Sequence, residues 1–247
     1  MNVVDLDSLS DLHLNILAYG EPGCGKTRFL GSVGECLYTL AVDVESGFKT
    51  LRLIPQAWRK NLVAVRIDKF EDLDKLYQLL EKNDPARWTK ALGVPIEKPF
   101  QAVGIDTWSE LNWLVKEGKR EQLGKQGGDS LAWRDNLQIQ DWGSILDLHQ
   151  KAMEAFRDLS MTFICNMHEQ IIQDERTKVI RGVPSLNGRL AAELGKYFDV
   201  VGHMSVNPMG KYVMDTQATT RYQGKSRLSL GKTIEDPTFK KILDGLK

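Results

Sequence analysis

Apolar residues occur along the chain in short continuous runs, separated by longer segments whose apolar positions recur every three or four residues. Continuous apolar runs are typical of strands covered on both faces, and the longer spacing is typical of amphipathic helices. Their alternation predicts helices packed on a mainly parallel sheet. The predicted strands are residues 14–19, 37–44, 62–68, 100–106, 161–167 and 198–206, and the predicted helices are residues 70–82, 108–119 and 139–159.

The last part of the chain carries turn and cap signals. The turn-like sequence NPMG precedes residues 211–218, which predicts an antiparallel hairpin at the edge of the sheet. Asp236 and Pro237 are typical of an N-cap and a first helical turn, so a short terminal helix is predicted to begin there. A chain of 247 residues can bury one large core. We therefore predict a single domain over residues 1–247.

Two polar segments interrupt the alternation of strands and helices. Residues 116–138 contain several glycines and charges of both signs, and residues 174–189 are more basic. Long irregular loops in compact domains are often functional. Both segments are predicted to be mobile surface loops.

Composition narrows the class of protein. Lys+Arg and Asp+Glu both total 33, so contact with nucleic acid would need a local basic patch. The three cysteines follow no CxxC spacing, which favours reduced thiols and argues against a cysteine-bound zinc ion. The N-terminus lacks the features of a signal peptide, and no apolar stretch approaches the roughly 20 residues that span a bilayer. These features predict a cytoplasmic protein that makes no contact with a membrane.

The sequence GEPGCGKT at residues 20–27 matches the phosphate-binding pattern G-x-x-x-x-G-K-[ST] and lies between a predicted strand and a predicted helix. Its glycines let backbone N–H groups approach phosphate oxygens closely. Lys26 is predicted to reach the β- and γ-phosphates, and the Thr27 hydroxyl to bind Mg²⁺. The predicted nucleotide-binding residues are Gly20, Glu21, Pro22, Gly23, Cys24, Gly25, Lys26, Thr27 and Arg28.

Hydrolysis needs carboxylates near this loop. Asp106 ends a later apolar strand, where it can hold Mg²⁺ through water or cap the following helix. Glu45 and Asp43 end the strand that follows the predicted P-loop helix, and the carboxyl ends of parallel strands meet at one edge of a sheet. Glu45 is the candidate for orienting the attacking water. Asp43 is a rival that the sequence does not separate from it.

The order of these motifs resembles the core of RecA-type ATPases. AVDVESG is similar to the strand that carries their catalytic glutamate, and AVGIDTWSEL to their metal-side motif. MTFICNMHEQ resembles the strand whose polar tip senses the γ-phosphate, which makes Asn166 and His168 the sensor candidates, although His168 also fits an ordinary strand-end histidine. YQGKSRLSL resembles an element that reaches the nucleotide of a neighbouring subunit. That resemblance implies a sensor role for Lys225 and an arginine-finger role for Arg227.

The full set is most similar to small phage-encoded RecA-like ATPases of the Sak-four type, which act in single-strand annealing and recombination. The resemblance implies a RecA-like P-loop NTPase core with an antiparallel C-terminal edge, ATP and Mg²⁺ as cofactors, and a homo-oligomer, ring or short filament, with nucleotide at its subunit interfaces. It also implies the cytoplasm of the host cell, single-stranded DNA as a partner, and a recombination or single-strand-binding protein as a possible further partner.

RecA-type cores bind single strands through loops after the metal-side strand and after the sensor strand, where the two polar segments lie. Basic side chains that follow phosphates, with an aromatic ring for stacking, suit single-strand binding. Nearby acidic residues dilute this charge, so a solvated loop is the alternative. The candidate DNA-binding residues are Lys119, Arg120, Lys125, Trp133, Arg134, Lys178, Arg181 and Arg189.

We therefore predict a DNA-dependent ATPase that acts in phage DNA recombination, single-strand annealing or repair. A helicase or translocation motor, a nucleotide-gated loader or regulator of a partner protein, and a small-molecule kinase are the alternatives. The sequence contains no GTPase motif such as N-K-x-D, but that absence does not separate ATP from GTP. The preference for ATP follows from the resemblance alone.

Overall fold

The computed structural model describes residues 13–127, 139–173, 178–186 and 189–245. Ten strands in these ranges form one sheet in the order β10-β8-β7-β1-β5-β4-β2-β3, with β6 paired to β5 and β9 paired to β7. The strands are β1 Asn15–Gly20, β2 Thr39–Asp43, β3 Leu62–Arg66, β4 Ala102–Asp106, β5 Thr162–Gln173, β6 Ile180–Pro184, β7 Val200–Val206, β8 Tyr212–Asp215, β9 Lys225–Ser226 and β10 Thr233–Glu235.

Six neighbouring strands, from β7 through β1, β5, β4 and β2 to β3, run parallel. The hairpin strand β8 pairs antiparallel with β7, and β10 pairs antiparallel with β8. This arrangement confirms the predicted α/β fold with a mainly parallel sheet and an antiparallel C-terminal edge.

Helices cover both faces of the sheet. They are α1 Lys26–Ser32, α2 Gln56–Arg59, α3 Phe70–Lys82, α4 Pro85–Leu92, α5 Trp108–Gly127, α6 Ile139–Arg157, α7 Arg189–Glu193 and α8 Phe239–Asp244. Short 3₁₀ helices occupy Val33–Glu35, Phe48–Leu53 and Leu194–Tyr197.

Alternate residues of β1 enter two separate hydrophobic cores. Leu17 and Tyr19 pack with residues of α3 to α6, and Ile16 and Ala18 pack with residues of α1 and α8. Strands β2 and β4 are buried at every position. Coverage on both faces therefore explains why these strands appear in the sequence as continuous apolar runs.

The predicted loop 116–138 is wrong in its first half, because α5 continues to Gly127. Lys, Glu, Arg and Gln predominate there and all have good helix propensity, which outweighs the cost of the isolated glycines. Residues 128–138 lie outside the described ranges.

The predicted loop 174–189 is also partly regular. Strand β5 continues past its predicted end at Met167 to Gln173 and pairs antiparallel with β6, so residues 180–184 are a strand rather than a loop. The β-branched Ile171, Ile172 and Ile180 favour this extension. Residues 174–177 and 187–188 lie outside the described part of the chain.

The terminal helix begins two residues later than predicted. Thr238, and not Asp236, is its N-cap, and the Thr238 side chain accepts a hydrogen bond from the Lys241 backbone N–H. Asp236 has a φ of 43° and belongs to the preceding turn. Burial of Phe239 and Ile242 fixes the helix start, because both side chains must face the core.

Candidate functional site

The P-loop connects β1 to α1 at the carboxyl edge of the sheet. Gly23 and Gly25 have φ values of 82° and 95°, in the left-handed region that favours glycine. A Cβ at Gly25 would lie 2.8 Å from the Tyr212 ring. The conformation and the close packing both require glycine at position 25, so the loop keeps the shape that the phosphate-binding pattern predicts.

The Lys26 ammonium is held against the loop. Its Nζ donates hydrogen bonds to the carbonyl oxygens of Gly20 and Glu21, each at 2.9 Å, and lies 3.7 Å from Cys24 Sγ. The residue is 6% exposed. An ammonium has three donors and a flexible stem. It can therefore redirect its bonds to phosphate oxygens that bind the same loop.

Asp106 and Thr27 contact each other beside the P-loop. Thr27 Oγ1 donates a hydrogen bond to Asp106 Oδ2 at 2.6 Å, and Asn166 Nδ2 donates to Asp106 Oδ1 at 3.1 Å. Burial raises the pKa of Asp106, and the hydrogen bonds from Thr27 and Asn166 oppose that rise. A hydroxyl oxygen beside a buried carboxylate fits the oxygen ligands that Mg²⁺ prefers, and a cation there would offset the cost of the buried charge.

Glu45 faces the cavity beside the P-loop. Its Oε2 lies 2.7 Å from His168 Nε2 and accepts a hydrogen bond from Thr107 Oγ1 at 3.4 Å. The hydrogen bond with His168 is the main cause of a lowered pKa for Glu45, while burial acts in the opposite direction. Glu45 is therefore an ionised carboxylate at neutral pH, as a residue that orients water needs to be.

Asp43 has different surroundings. Its Oδ1 accepts the Gly47 N–H at 3.0 Å and its Oδ2 accepts the Phe48 N–H at 3.4 Å. These bonds close the turn after β2, in which Ser46 has a φ of 64°. The structure thus directs Asp43 to the backbone and Glu45 to the cavity.

The cavity has a volume of about 430 Å³ and is lined by P-loop residues, Glu45 and His168. Ligand pockets commonly measure about 300–1,000 Å³, so its size suits a nucleotide. Sequence analysis did not identify four of its lining residues, because they come from segments without a motif. These are Thr50, Leu53, Ile54 and Tyr212.

Tyr212 contacts both the P-loop and Arg28. The Arg28 guanidinium carbon lies 5.4 Å from the centre of the Tyr212 ring, and Arg28 Nη1 lies 3.8 Å from Asp236. The edge hairpin therefore forms one wall of the cavity, and only the turn-like NPMG before Tyr212 indicated in the sequence where that strand begins.

Lys225 and Arg227 do not line this cavity. Lys225 Nζ donates to the carbonyl oxygens of Gly195 at 2.6 Å and Phe198 at 2.8 Å, and burial lowers the pKa of its ammonium. Arg227 pairs with Asp199 at 2.8 Å while its side chain stays 56% exposed. Within one chain, neither residue joins the P-loop.

The described candidate DNA-binding residues lie on α5, on the β5–β6 hairpin and on α7. Lys178 and Arg181 are exposed on the β5–β6 hairpin. Lys119, Arg120 and Lys125 belong to α5 and Arg189 begins α7, but their side chains are outside the described part of the structure, as are Trp133 and Arg134 altogether. Among the described residues, no helix has the length and apolar character needed to cross a membrane.

Known proteins place this geometry in context. No curated protein sequence matches the chain. The solved structures similar to it include an ATPase of the type III secretion system of pathogenic bacteria, with a TM-score of 0.44 and 14% identity over 80% of this chain and 53% of that one. Another is the type III secretion ATPase EscN of enteropathogenic E. coli, solved with its central stalk EscO, with a TM-score of 0.44 and 13% identity over 84% of this chain and 46% of that one.

The chain thus spans about half the length of these structures. A family model described as an AAA domain matches residues 13–228, a range that contains the P-loop, Glu45, Asp106, Asn166 and His168. The protein accordingly belongs to the AAA domain family of P-loop proteins.

Proposed function

We propose that this protein hydrolyses ATP with Mg²⁺, that single-stranded DNA stimulates the reaction, and that it acts as a homo-oligomer in phage DNA recombination, annealing or repair. The convergence of Lys26, Thr27, Glu45, Asp106 and His168 around one cavity carries the hydrolysis proposal. The choice of ATP, the DNA and the phage setting follow from the resemblance to RecA-like ATPases of the Sak-four type.

In this proposal each side chain has one task. The loop N–H groups and Lys26 bind the β- and γ-phosphates. Thr27 and Asp106 would hold Mg²⁺, which supplies positive charge to the phosphoryl oxygens. Glu45 orients the attacking water and accepts its proton, and its hydrogen bond with His168 fixes its direction.

The path from DNA to the nucleotide would follow β5. This strand carries Asn166, which contacts Asp106, and His168, which contacts Glu45. It then continues into the hairpin that exposes Lys178 and Arg181. Lys178 also lines a depression of about 630 Å³ with Arg221, Tyr222 and Glu169, so two basic side chains and an aromatic ring lie there beside one carboxylate. Single-stranded DNA bound there would shift β5, and with it the contacts of Asn166 with Asp106 and of His168 with Glu45.

Oligomerisation would complete the site. Arg227 is exposed and lies away from the P-loop of its own chain. Arg227, with Lys225 beside it, would therefore reach the nucleotide bound by a neighbouring subunit and stabilise charge on the transferred phosphoryl group. A ring or a short filament provides such an interface.

The direct test is ATP turnover with and without single-stranded DNA, with Lys26→Ala as the blank. We expect turnover to rise several-fold with DNA and the rise to be lost in Lys178→Ala/Arg181→Ala but kept in the matched surface variant Lys60→Ala/Lys90→Ala. ATP turnover that does not change when DNA is added would contradict the DNA role and favour a nucleotide-gated loader of a partner protein. Absence of turnover under all conditions would contradict the hydrolase itself.

A further inference from the structure

Three potential metal ligands meet beside the nucleotide cavity. One ligand atom from each of Glu45, Glu110 and His168 lies within 4.8 Å of the other two. Glu45 and His168 line the cavity and are each about one quarter exposed at the side chain, at 28% and 25%. An ion arriving from the cavity can reach them.

The three residues come from different elements whose backbones are tied together. Glu45 follows β2, Glu110 lies in the first turn of α5, and His168 lies on β5. The His168 N–H donates to Ser109 Oγ at 2.9 Å, and Ser109 Oγ donates to the Ser185 carbonyl at 3.1 Å. The start of α5 is thus joined to β5 and to the residue that directly follows β6. This framework holds Glu110 close to the Glu45–His168 pair.

The donor set distinguishes this cluster from the Mg²⁺ site at Thr27 and Asp106. Mg²⁺ takes oxygen ligands and retains water, whereas one imidazole with two carboxylates suits zinc and its neighbours in the transition series. Three protein ligands leave a coordination position open to the cavity. We propose that Glu45, Glu110 and His168 bind a divalent transition-metal ion such as Zn²⁺.

Such an ion would inhibit hydrolysis. It would displace the proton between Glu45 Oε2 and His168 Nε2, which are 2.7 Å apart, into solvent, and it would bind the carboxylate that otherwise orients water. This consequence rests on the proposed function, whereas metal binding does not. Glu110 distinguishes metal inhibition from hydrolysis, because it contributes to the proposed metal site and has no role in the proposed hydrolysis mechanism.

Binding is tested first, by calorimetry with Zn²⁺ in excess Mg²⁺ and without nucleotide, and by the visible absorption of bound Co²⁺. We expect one site per chain that weakens by about tenfold or more in Glu110→Gln and in His168→Asn. Glu71→Gln is the matched control, because Glu71 is an exposed glutamate in the first turn of α3. Equal affinity in the wild type and in both ligand variants, or no saturable binding, would overturn the proposal.

Inhibition is tested second, by ATP turnover in excess Mg²⁺ over a Zn²⁺ titration. Half-inhibition should need about tenfold more Zn²⁺ in Glu110→Gln than in the wild type or Glu71→Gln. An equal Zn²⁺ requirement in all three proteins would overturn the inhibitory role. If the protein does not hydrolyse ATP even without Zn²⁺, the proposed function is wrong. The metal site is still tested in that case, because calorimetry measures ion binding without hydrolysis.

Discussion

At the end of β2 two carboxylates lie two residues apart and have different partners. Glu45 contacts His168 and faces the cavity, whereas Asp43 accepts two backbone N–H groups of the following turn. We expect Glu45→Gln to lower kcat for ATP by about 10²–10⁴, because a positioned base contributes that much, while nucleotide affinity stays near the wild-type value. Steady-state turnover and nucleotide titration check this expectation.

Asp43→Asn is the comparison for that measurement. It replaces one acceptor oxygen by a donor in a turn that needs two acceptors, so its main effect should be a lower thermal midpoint, with turnover per folded molecule changed only several-fold. A larger loss of kcat in Asp43→Asn than in Glu45→Gln, with both proteins folded, would reverse the assignment.

The sequence predicts side chains within one motif better than side chains that meet across the fold. The spacing of residues 20–27 defines the P-loop by itself. It does not separate Asp43 from Glu45, because the turn with Ser46 at a φ of 64° directs each carboxylate. Tyr212 and Glu110 reach the site through strand pairing and helix placement. No local pattern encodes those contacts.

At the scale of elements, the position of α1 depends on a glycine in a neighbouring strand. A Cβ at Gly104 of β4 would overlap the side chain of Leu30, which is fully buried in α1. We expect Gly104→Ala to lower the free energy of unfolding by about 1–3 kcal/mol, as overpacking does in other cores. It should also weaken nucleotide binding, because α1 begins at Lys26. Urea unfolding and nucleotide titration measure the two effects.

Gly118→Ala is the control for Gly104→Ala. Gly118 lies inside α5, and among the described residues no atom beyond the neighbouring backbone of its own helix lies within 4 Å of the position that its Cβ would take. Alanine there should raise the free energy of unfolding by up to about 1 kcal/mol, because it is the better helix former. If both variants lose the same stability, packing of Leu30 on Gly104 is not what positions α1.

The repeat of apolar residues predicted the central elements, because an element that packs one face on the core must place apolar residues at that repeat. Helix α3 matches its predicted range, and its buried Leu73, Leu76 and Leu80 follow the helical repeat. The same method failed for residues 116–127, which are mostly polar in sequence, and for residues 180–184, a strand of five residues in which only Gly182, Val183 and Pro184 are buried. A polar segment or a very short strand gives too few apolar positions for a periodic signal, so propensity and backbone pairing decide its structure.

At the scale of the molecule, the sequence predicts a mainly parallel sheet but not the order of its strands. The order β1-β5-β4-β2 brings the ends of β1, β4 and β2 beside the middle of β5, so that Gly20, Asp43, Asp106 and His168 come close together. Strand order results from how the crossover connections pack. The motifs therefore indicated which residues form the site, while the topology explains why they meet.

The proposed subunit interface also belongs to the scale of the molecule. Arg227 lies away from the P-loop of its own chain and pairs with Asp199. If Arg227 acts on the neighbouring subunit, Arg227→Ala and Lys26→Ala should each be inactive alone. In an equimolar random mixture about one quarter of the head-to-tail interfaces would join an intact P-loop to an intact finger, so turnover should recover to about one quarter of the wild-type value.

The control for this mixture combines Lys26→Ala with the double variant Lys26→Ala/Arg227→Ala, in which no P-loop is intact and no recovery is possible. Native mass spectrometry establishes that the two variants assemble together. Co-assembly with no recovery in the first mixture would exclude a trans finger at Arg227. Recovery would show that the catalytic unit is the interface between two subunits, because neither variant supplies both groups from one chain.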